Sequence, residues 1–192
     1  MGHGEKTVRR LDGYTVGYAL CGSFCTHGKS VEALSRIAAA GAQIVPIVSE
    51  TVYMTDTRFG TAADLCARLA ALCGRDVIHT IREAEPIGPE SSLDLLIIAP
   101  CTGNTLAKLA HGITDTSVTM AAKAQLRADR PVLLAVSSND ALSANRANLA
   151  VMKRRPHVTL LKTFCDDPVK KPYSLVPRFD LLPRAAADLL LG

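Results

Sequence analysis

The feature that most constrains the fold is a nearly continuous apolar run at residues 93–99, Leu-Asp-Leu-Leu-Ile-Ile-Ala. A strand of this composition has both faces buried, as in a parallel sheet covered by helices. Further apolar runs at 14–20, 43–49 and 130–138 alternate with segments of helical periodicity. Because parallel strands need a crossover between them, this alternation predicts an α/β protein with a mostly parallel sheet of five to six strands and helices on both faces.

Two shorter runs, at 76–81 and 157–163, complete the predicted strands. Pro46 interrupts the strand at 43–49, and it favours an edge position or a bulge because proline has no N–H to donate to a strand ladder. Asn139 or Asp140 is expected to cap the helix that follows the strand at 130–138. Helices are predicted at 30–41, 61–74, 103–111, 116–128, 139–154 and 178–192, with loops at 82–92 and 165–177.

Composition restricts the class of protein. Hydrophobic residues make up 48% of the 192 residues, but aromatic residues only 4%, and tryptophan is absent. The core is therefore expected to be aliphatic, which suits helices packed on a parallel sheet. The net charge of +4 comes from interspersed basic and acidic residues, so we expect no nucleic-acid partner. We find no internal repeat and no linker, which predicts a single α/β domain over residues 1–192.

The sequence favours a cytoplasmic protein. The first residues, 1–13, are polar rather than signal-like, and no apolar run reaches the ~20 residues of a membrane span. Six scattered cysteines form no Cys-x-x-Cys motif, so reduced thiols are expected. Cys21, Cys25 and His27 lie close in sequence, but their spacing does not match a standard zinc site, and no metal is expected.

Small hydroxyl, amide and thiol side chains follow four of the predicted strands. In an open parallel sheet, ligands bind beyond the carboxyl ends of the strands, so these side chains are expected to meet at one edge. Serine, threonine and asparagine also cap helices, and any one of these positions is explained by capping alone. Their coincidence at four strand ends favours a ligand site. The residues are Cys21, Gly22, Ser23, Phe24, Cys25 and Thr26, then Ser49 and Thr51, then 101–105, and finally Ser137, Ser138 and Asn139.

The first of these loops matches neither common phosphate-binding motif. Residues 22–28, GSFCTHG, lack the G-x-G-x-x-G spacing of a dinucleotide site. Residues 27–30, HGKS, lack the upstream glycine of a P-loop, since Ser23 occupies that position. A phosphate at this loop would instead be held by hydroxyls and by the free N–H groups at the start of a helix.

The other candidate residues have both a structural and a functional interpretation. Cys101 lies at a strand end near a helix start, where a thiol pKa is often lowered, but no histidine is near it in sequence. His79 lies in a strand pattern and is interpreted as a core or surface histidine. Lys170 and Lys171 belong either to a solvated loop or to a lid that meets an anionic substrate.

Residues 98–124, IAPCTGNTLAKLAHGITDTSVTMAAKA, resemble the flavoprotein superfamily that includes phosphopantothenoylcysteine decarboxylase, peptidyl-cysteine decarboxylases and flavin prenyltransferase. The resemblance implies a three-layer Rossmann-like or flavodoxin-like α/β sandwich. It also implies FMN, bound at subunit contacts in a homo-oligomer, either a trimer or a dodecamer.

Four blocks narrow the resemblance to the B-subunit family of dipicolinate synthase: 79–89, 100–116, 136–149 and 166–177. Membership would imply an oxidoreductase subunit that supports aromatisation of a dihydrodipicolinate precursor to pyridine-2,6-dicarboxylate. The work would take place in the mother cell of a sporulating bacterium, together with the A subunit of dipicolinate synthase, which binds NAD(P).

Candidate site residues follow from the implied cofactor and from the need for cations at the two carboxylates of the implied substrate. Lys170 and Lys171, with Arg146 behind them, are expected to bind the two substrate carboxylates. Ser23 and Ser49 are expected on the phosphate side of FMN. The remaining cofactor residues are Thr102, Asn104 and Thr105 along the ring or ribityl chain, Ser138 and Asn139 facing the isoalloxazine or substrate, and Gly22, Phe24 and Cys101.

The chain departs from the decarboxylases in the residues that perform decarboxylation. Their PAMN motif reads VSSN here, so only Asn139 is retained, and their histidine before the central strand is absent from 85–94. Cys165 lacks the motif around their late cysteine. Decarboxylation of a cysteine is therefore not expected, and no catalytic residue is assigned. The alternative is a non-catalytic, structural partner of the NAD(P)-binding subunit. A prenyltransferase is disfavoured, because the basic and aromatic residues of that chemistry are not evident.

Overall fold

The protein folds around a five-stranded parallel sheet. The computed structural model describes residues 10–88 and 93–192, so the expectations for residues 1–9 and 89–92 lie outside the described part. The strand order β2-β1-β3-β4-β5 is that of a doubly wound, flavodoxin-like sheet, which confirms the predicted fold class. The strands are β1 (Thr15–Leu20), β2 (Gln43–Val48), β3 (Leu95–Cys101), β4 (Val132–Val136) and β5 (Val158–Leu160).

Helices cover both faces of the sheet and give the molecule three layers. The helices are α1 (His27–Ala39), α2 (Glu50–Met54), α3 (Ala62–Cys73), α4 (Ile81–Ala84), α5 (Gly103–His111), α6 (Ser117–Arg127), α7 (Arg146–Arg154) and α8 (Leu182–Leu191). One core cluster joins α1, α3 and α8 to the sheet, and the other joins α4, α5, α6 and α7 to its opposite face. An antiparallel pair, β6 (Thr163–Phe164) and β7 (Val176–Pro177), lies beyond β5 in the chain.

β3 is the centre of the core, as its apolar composition predicts. All seven of its residues are buried. Leu95 and Ile97 pack into one core cluster, while Leu96 and Ile98 pack into the other, since successive side chains of a strand point to opposite faces. Burial on both faces explains why the sequence shows a continuous apolar run here rather than an alternating one.

β2 forms an edge of the sheet, and this position explains how the strand accommodates Pro46. Ile78 N donates to Pro46 O at 2.9 Å, and Val48 N donates to Ile78 O at 2.8 Å, so the carbonyl of Pro46 faces away from β1. The N and O atoms of one residue in a strand point to the same side, so the missing N–H of Pro46 also faces the outer edge. Pro46 therefore removes no hydrogen bond between β2 and β1.

The strand predicted at 76–81 is wrong, because only Ile78 forms a bridge, to Ile47. Thr80 begins a capping box instead. Its Oγ1 accepts a hydrogen bond from Glu83 N at 3.2 Å, and Glu83 Oε2 accepts one from Thr80 N at 3.0 Å. These paired bonds stabilise the start of α4 and end the extended conformation.

The helix predicted at 139–154 begins later than expected, at Arg146, after a series of turns. Neither Asn139 nor Asp140 caps it. The carboxylate of Asp140 instead accepts hydrogen bonds from the hydroxyl of Ser138 and from Nδ2 of Asn145, within the turns that precede α7.

The strand predicted at 157–163 is divided. Leu161 N makes the last bond to β4, at Leu134 O and 2.8 Å, and the chain then turns into β6. The segment 165–177, predicted as a loop, ends in β7, which pairs with β6. Within the described residues, no helix is long and apolar enough to cross a membrane.

A buried hydroxyl joins the sheet to α1 and gives a test of this packing. The Tyr18 hydroxyl, fully buried, donates to Ser30 O at 2.8 Å and lies 3.0 Å from Ser30 Oγ. We expect Tyr18→Phe to lower the free energy of unfolding by about 1–2 kcal/mol, because it removes a buried hydrogen-bond partner. Urea denaturation measures this change.

The matched control is Tyr173→Phe, since the Tyr173 side chain is exposed and its hydroxyl has no partner among the described residues. It should leave the free energy of unfolding within about 0.5 kcal/mol of the parent. Equal stability of Tyr18→Phe and the parent would contradict the buried contact.

Candidate functional site

The carboxyl ends of β1 to β4 lie along one edge of the sheet, and the hydroxyl and amide side chains predicted as a site follow them there. This placement is a consequence of parallel pairing, because all strands then end at the same side. The segments that meet at this edge are 21–24 after β1, 49–50 after β2, 101–105 after β3 and 137–140 after β4.

The loop after β1 is bonded to the end of β4. Ser23 has the left-handed conformation (φ 62°), which non-glycine residues rarely adopt. Its hydroxyl donates to Ser137 O at 3.0 Å, and its carbonyl accepts from the hydroxyl of Thr26 at 2.8 Å. Gly22 brings bare backbone close to β3, since a Cβ here would lie 3.3 Å from the methyl group of Thr102.

Two aromatic rings follow Ser23 at the start of α1. The half-buried Phe24 lies against His27, with ring centroids 5.1 Å apart. His27 Nε2 lies 2.8 Å from Cys21 O. Burial lowers the pKa of His27, so this ring is neutral at physiological pH.

After β2, Ser49 is buried and caps α2, since its hydroxyl accepts from Val52 N at 3.4 Å. The neighbouring Glu50 reaches the start of α6, where Oε1 accepts from Ser117 N at 3.0 Å. The Ser117 hydroxyl donates to Val48 O at 2.7 Å and completes the connection. Oε2 of Glu50 is buried and has no donor among the described residues. The edge therefore holds one unused carboxylate oxygen.

After β3, some side chains form hydrogen bonds that stabilise the fold, and others have no hydrogen-bond partner among the described residues. Thr102 caps α5 by accepting from Thr105 N at 3.3 Å, and the Thr105 hydroxyl donates to Cys21 Sγ at 3.2 Å. Asn104 is exposed, and its amide has no partner among the described residues. Burial raises the pKa of Cys101 well above its usual value. A protonated thiol at neutral pH suits the predicted lining role rather than a nucleophile.

After β4, Asp140 organises the site. Its carboxylate accepts from the Ser138 hydroxyl and, at 3.0 and 3.1 Å, from Nδ2 of Asn145. These bonds, that from Ser138 first, lower the pKa of Asp140 and keep it ionised at neutral pH. Asn139 is exposed beside them. Gly103 packs directly on this cluster, because a Cβ at Gly103 would lie 2.6 Å from Asn145 Nδ2.

The predicted substrate lysines lie on the segment between β6 and β7. Both are exposed, and Lys171 Nζ lies 3.9 Å from an oxygen of Asp166. The segment itself is fixed to the edge, because Ser138 and Leu175 exchange backbone hydrogen bonds of 3.0 and 2.9 Å. The structure therefore brings this segment close to Ser138. The carboxylate of Asp166, on the same segment, compensates the charge of Lys171. Arg146 is exposed at the start of α7.

Sequence reasoning missed three polar side chains at or beside this edge. Glu50 was passed over although it follows Ser49 directly, and Asp140 was assigned a helix cap. His79 follows the bridge residue Ile78 beside the end of β2, with Nδ1 3.2 Å from a carboxylate oxygen of Glu83 and its ring stacked on Tyr53 at 3.6 Å. The contacts of Glu50 with Ser117 and of His79 with Tyr53 join segments that are distant in the chain, so no local pattern reveals them. Within the described residues, no group of three or more histidine, cysteine or acidic side chains is arranged to hold a metal ion.

The contact at Gly103 can be tested directly. We expect Gly103→Ala to lower the free energy of unfolding by about 1–3 kcal/mol, because the new methyl group overlaps Ser138 and Asn145. Gly28→Ala is the control, since Gly28 lies in α1 with no atom within 4 Å of its added Cβ. It should be neutral or stabilise by up to about 1 kcal/mol. Thermal and urea unfolding measure both, and equal stability of Gly103→Ala and the parent would refute the close approach.

Comparisons with known proteins agree with this architecture. The family model described as Flavoprotein matches residues 5–173. The B subunit of dipicolinate synthase from Bacillus subtilis strain 168 is 40% identical over 181 residues, covering 94% of this chain and 90% of the relative. The crystal structure of the B subunit of dipicolinate synthase from Bacillus halodurans has a TM-score of 0.87 and 36% identity, covering 95% of this chain and 94% of that one.

A more distant structure has the same fold. Burkholderia xenovorans DmrB, solved in complex with FMN, has a TM-score of 0.69 at 18% identity, covering 93% of this chain and 96% of that one. With a matched family model over most of its length and a relative of 40% identity, this chain belongs to the flavoprotein family and, within it, to the B-subunit family of dipicolinate synthase.

Proposed function

We propose that this chain is the flavin-binding subunit of an oxidoreductase that converts a dihydrodipicolinate precursor to pyridine-2,6-dicarboxylate. The proposal includes a partner, the A subunit of dipicolinate synthase, that supplies NAD(P), and a setting in the mother cell of a sporulating bacterium. The observation that carries it is the convergence of hydroxyl and amide groups at four strand ends in a chain 40% identical to the B subunit of a dipicolinate synthase.

The residues at the edge fit FMN. The N-terminal ends of α1 and α5 lie at this edge and favour an anion such as the flavin phosphate. Ser23 and Ser49 supply hydroxyls on that side. The buried, unused Oε2 of Glu50 is an acceptor for a ligand that carries hydroxyl or N–H donors, as the ribityl chain and the flavin ring do.

The proposed role of the protein is to bind the cofactor and the substrate, to orient them and to shield them from water. Thr102, Asn104 and Thr105 would line the ribityl chain or the ring, with Gly22, Phe24 and Cys101 around them, and Ser138 and Asn139 would face the ring or the substrate. When bound, FMN supplies a two-electron acceptor for the hydride equivalent that the substrate loses with one proton as it becomes aromatic. Asp140 holds the Ser138 hydroxyl in one orientation, which fixes the ligand's surroundings in advance.

We further propose a homo-oligomer, a trimer or a dodecamer. Tyr53 and Met54 on α2 are 43% and 81% exposed just beyond Ser49, and apolar side chains there suit a contact between copies next to the flavin. DmrB, which shares the fold, is described as a cubic protein cage for redox transfer.

Cofactor binding has a direct test. We expect the purified chain to show flavin absorption bands, or to gain them and a higher melting temperature with FMN. Asn104→Ala should weaken FMN binding by about tenfold without changing stability, because its exposed amide has no structural partner among the described residues. Gln43→Ala, at the opposite end of the sheet, is the control. If saturating FMN gives neither bands nor a melting shift, the cofactor assignment is wrong.

Catalysis requires reconstitution with the NAD(P)-binding partner and the dihydrodipicolinate precursor. We expect dipicolinate to accumulate, measured by its ultraviolet absorbance, only when both proteins are present, and Asn104→Ala to slow it at subsaturating FMN. A purely structural role for this chain would give the same rate in the presence and absence of FMN. If the NAD(P)-binding partner alone forms dipicolinate at the full rate, the catalytic assignment fails.

A further inference from the structure

A cavity of about 350 Å³ lies beside the predicted cofactor residues, between the start of α1 and the connection from α2 to α3. Its volume is in the range of small-molecule sites, about 300–1,000 Å³. Phe24 lines it and also belongs to the predicted cofactor set, so the cavity adjoins the carboxyl edge of the sheet. The apolar side chains of Val31, Val52 and Leu65 contribute to its lining.

Aromatic side chains from two parts of the chain line the cavity. Phe24 and His27 contribute rings from the start of α1, and Phe59 contributes a ring from the connection between α2 and α3. Because burial keeps the His27 ring neutral by lowering its pKa, this pair adds flat surface without charge. Aromatic surfaces in one cavity favour a planar aromatic ligand, which can stack on them.

Phe59 is held in place although it is 55% exposed. It lies on a turn in which Thr57 and Gly60 exchange backbone hydrogen bonds of 3.0 and 3.1 Å. Thr57 Oγ1 also accepts from Phe59 N at 3.1 Å. The end of the turn is fixed by Asp56, which accepts from Ala62 N at 2.8 Å. The backbone that carries this exposed ring is therefore well ordered, and a large exposed aromatic ring suits contact with another molecule.

Two arginines without an ion pair among the described residues lie in or beside the cavity. Arg68 lines it, and the guanidinium of Arg58 lies 4.9 Å from the centroid of the Phe59 ring. Within residues 10–88 and 93–192, neither forms an ion pair with a carboxylate. Asp64 also lines the cavity, and its carboxylate accepts from the hydroxyl of Thr61 at 2.7 Å. Guanidinium groups match carboxylates with two parallel hydrogen bonds, which lysine cannot do.

We propose that this cavity binds a planar aromatic carboxylate, with the ring between Phe24 and Phe59 and the carboxylates at Arg68 and Arg58. The inference rests on the proposed function, in which the cavity is the subsite for the pyridine dicarboxylate. It moves the main carboxylate contacts from Lys170 and Lys171 to two arginines on the other side of the edge.

Isothermal titration calorimetry with pyridine-2,6-dicarboxylate tests the site, using the full chain with and without FMN in metal-free buffer, since this dicarboxylate chelates divalent cations. We expect Arg68→Gln to weaken binding by about tenfold or more, the loss expected for a hydrogen bond between charged groups. Phe59→Leu should also weaken it, and the monocarboxylate pyridine-2-carboxylate should bind more weakly than the dicarboxylate.

Arg75→Gln, just beyond the end of α3, is the matched control and should bind as the parent does. Circular dichroism checks that each variant is folded. The proposal is overturned if the parent binds no dicarboxylate at millimolar concentration, or if Arg68→Gln binds as tightly as the parent. It is also overturned if a combined Lys170→Gln and Lys171→Gln variant alone loses binding.

The outcome is separable from that of the flavin test. If the chain shows no flavin bands but binds the dicarboxylate in a way that depends on Arg68, the subsite proposal stands and the cofactor proposal fails. If the chain shows flavin bands but its binding of the dicarboxylate does not depend on Arg68, the subsite proposal fails and the cofactor proposal stands.

Discussion

The close approach of α5 to the turn after β4 is the constraint on which the candidate site depends. Gly103 has no side chain, and a Cβ there would lie 2.5 Å from the hydroxyl oxygen of Ser138. That space is occupied by the cluster in which Asp140 holds Ser138 and Asn145. With Ser23 bonded to the end of β4 as well, three strand ends are joined before any ligand arrives. The edge is thus preorganised, and binding need not order it.

The chemistry of this region is divided by charge. The edge of the sheet presents hydroxyls, amides and helix N-termini, which suit a phosphate and a polyhydroxyl chain. Basic side chains lie around it, with Arg58 and Arg68 in the segment after β2 and Lys170 and Lys171 in the segment held at Ser138. Under the proposed function, an anionic cofactor and an anionic substrate would therefore not compete for the same groups.

Much of the fold was predictable, because hydrophobic periodicity decides where strands and helices lie. β3 and α5 fall within or close to their predicted limits, and Gly74 ends α3 as expected. The failures, at 76–81 and 139–154, occur where side-chain hydrogen bonds override local propensity. For the site, periodicity and the order of segments gave the edge and its hydroxyls, but contacts between segments distant in the chain, such as Glu50 with Ser117, have no local signal.

The edge position of Pro46 also limits how this molecule meets others. A free strand edge is a template on which another chain can add its own strand, and long exposed edges promote aggregation. At β2 the row of donors is interrupted by Pro46, and the short bridge to Ile78 occupies the acceptor that remains beside it. The opposite edge strand, β5, is only three residues long. Both features disfavour extension of the sheet from one molecule into the next, so we expect any contact with another molecule to use side chains on helices and loops.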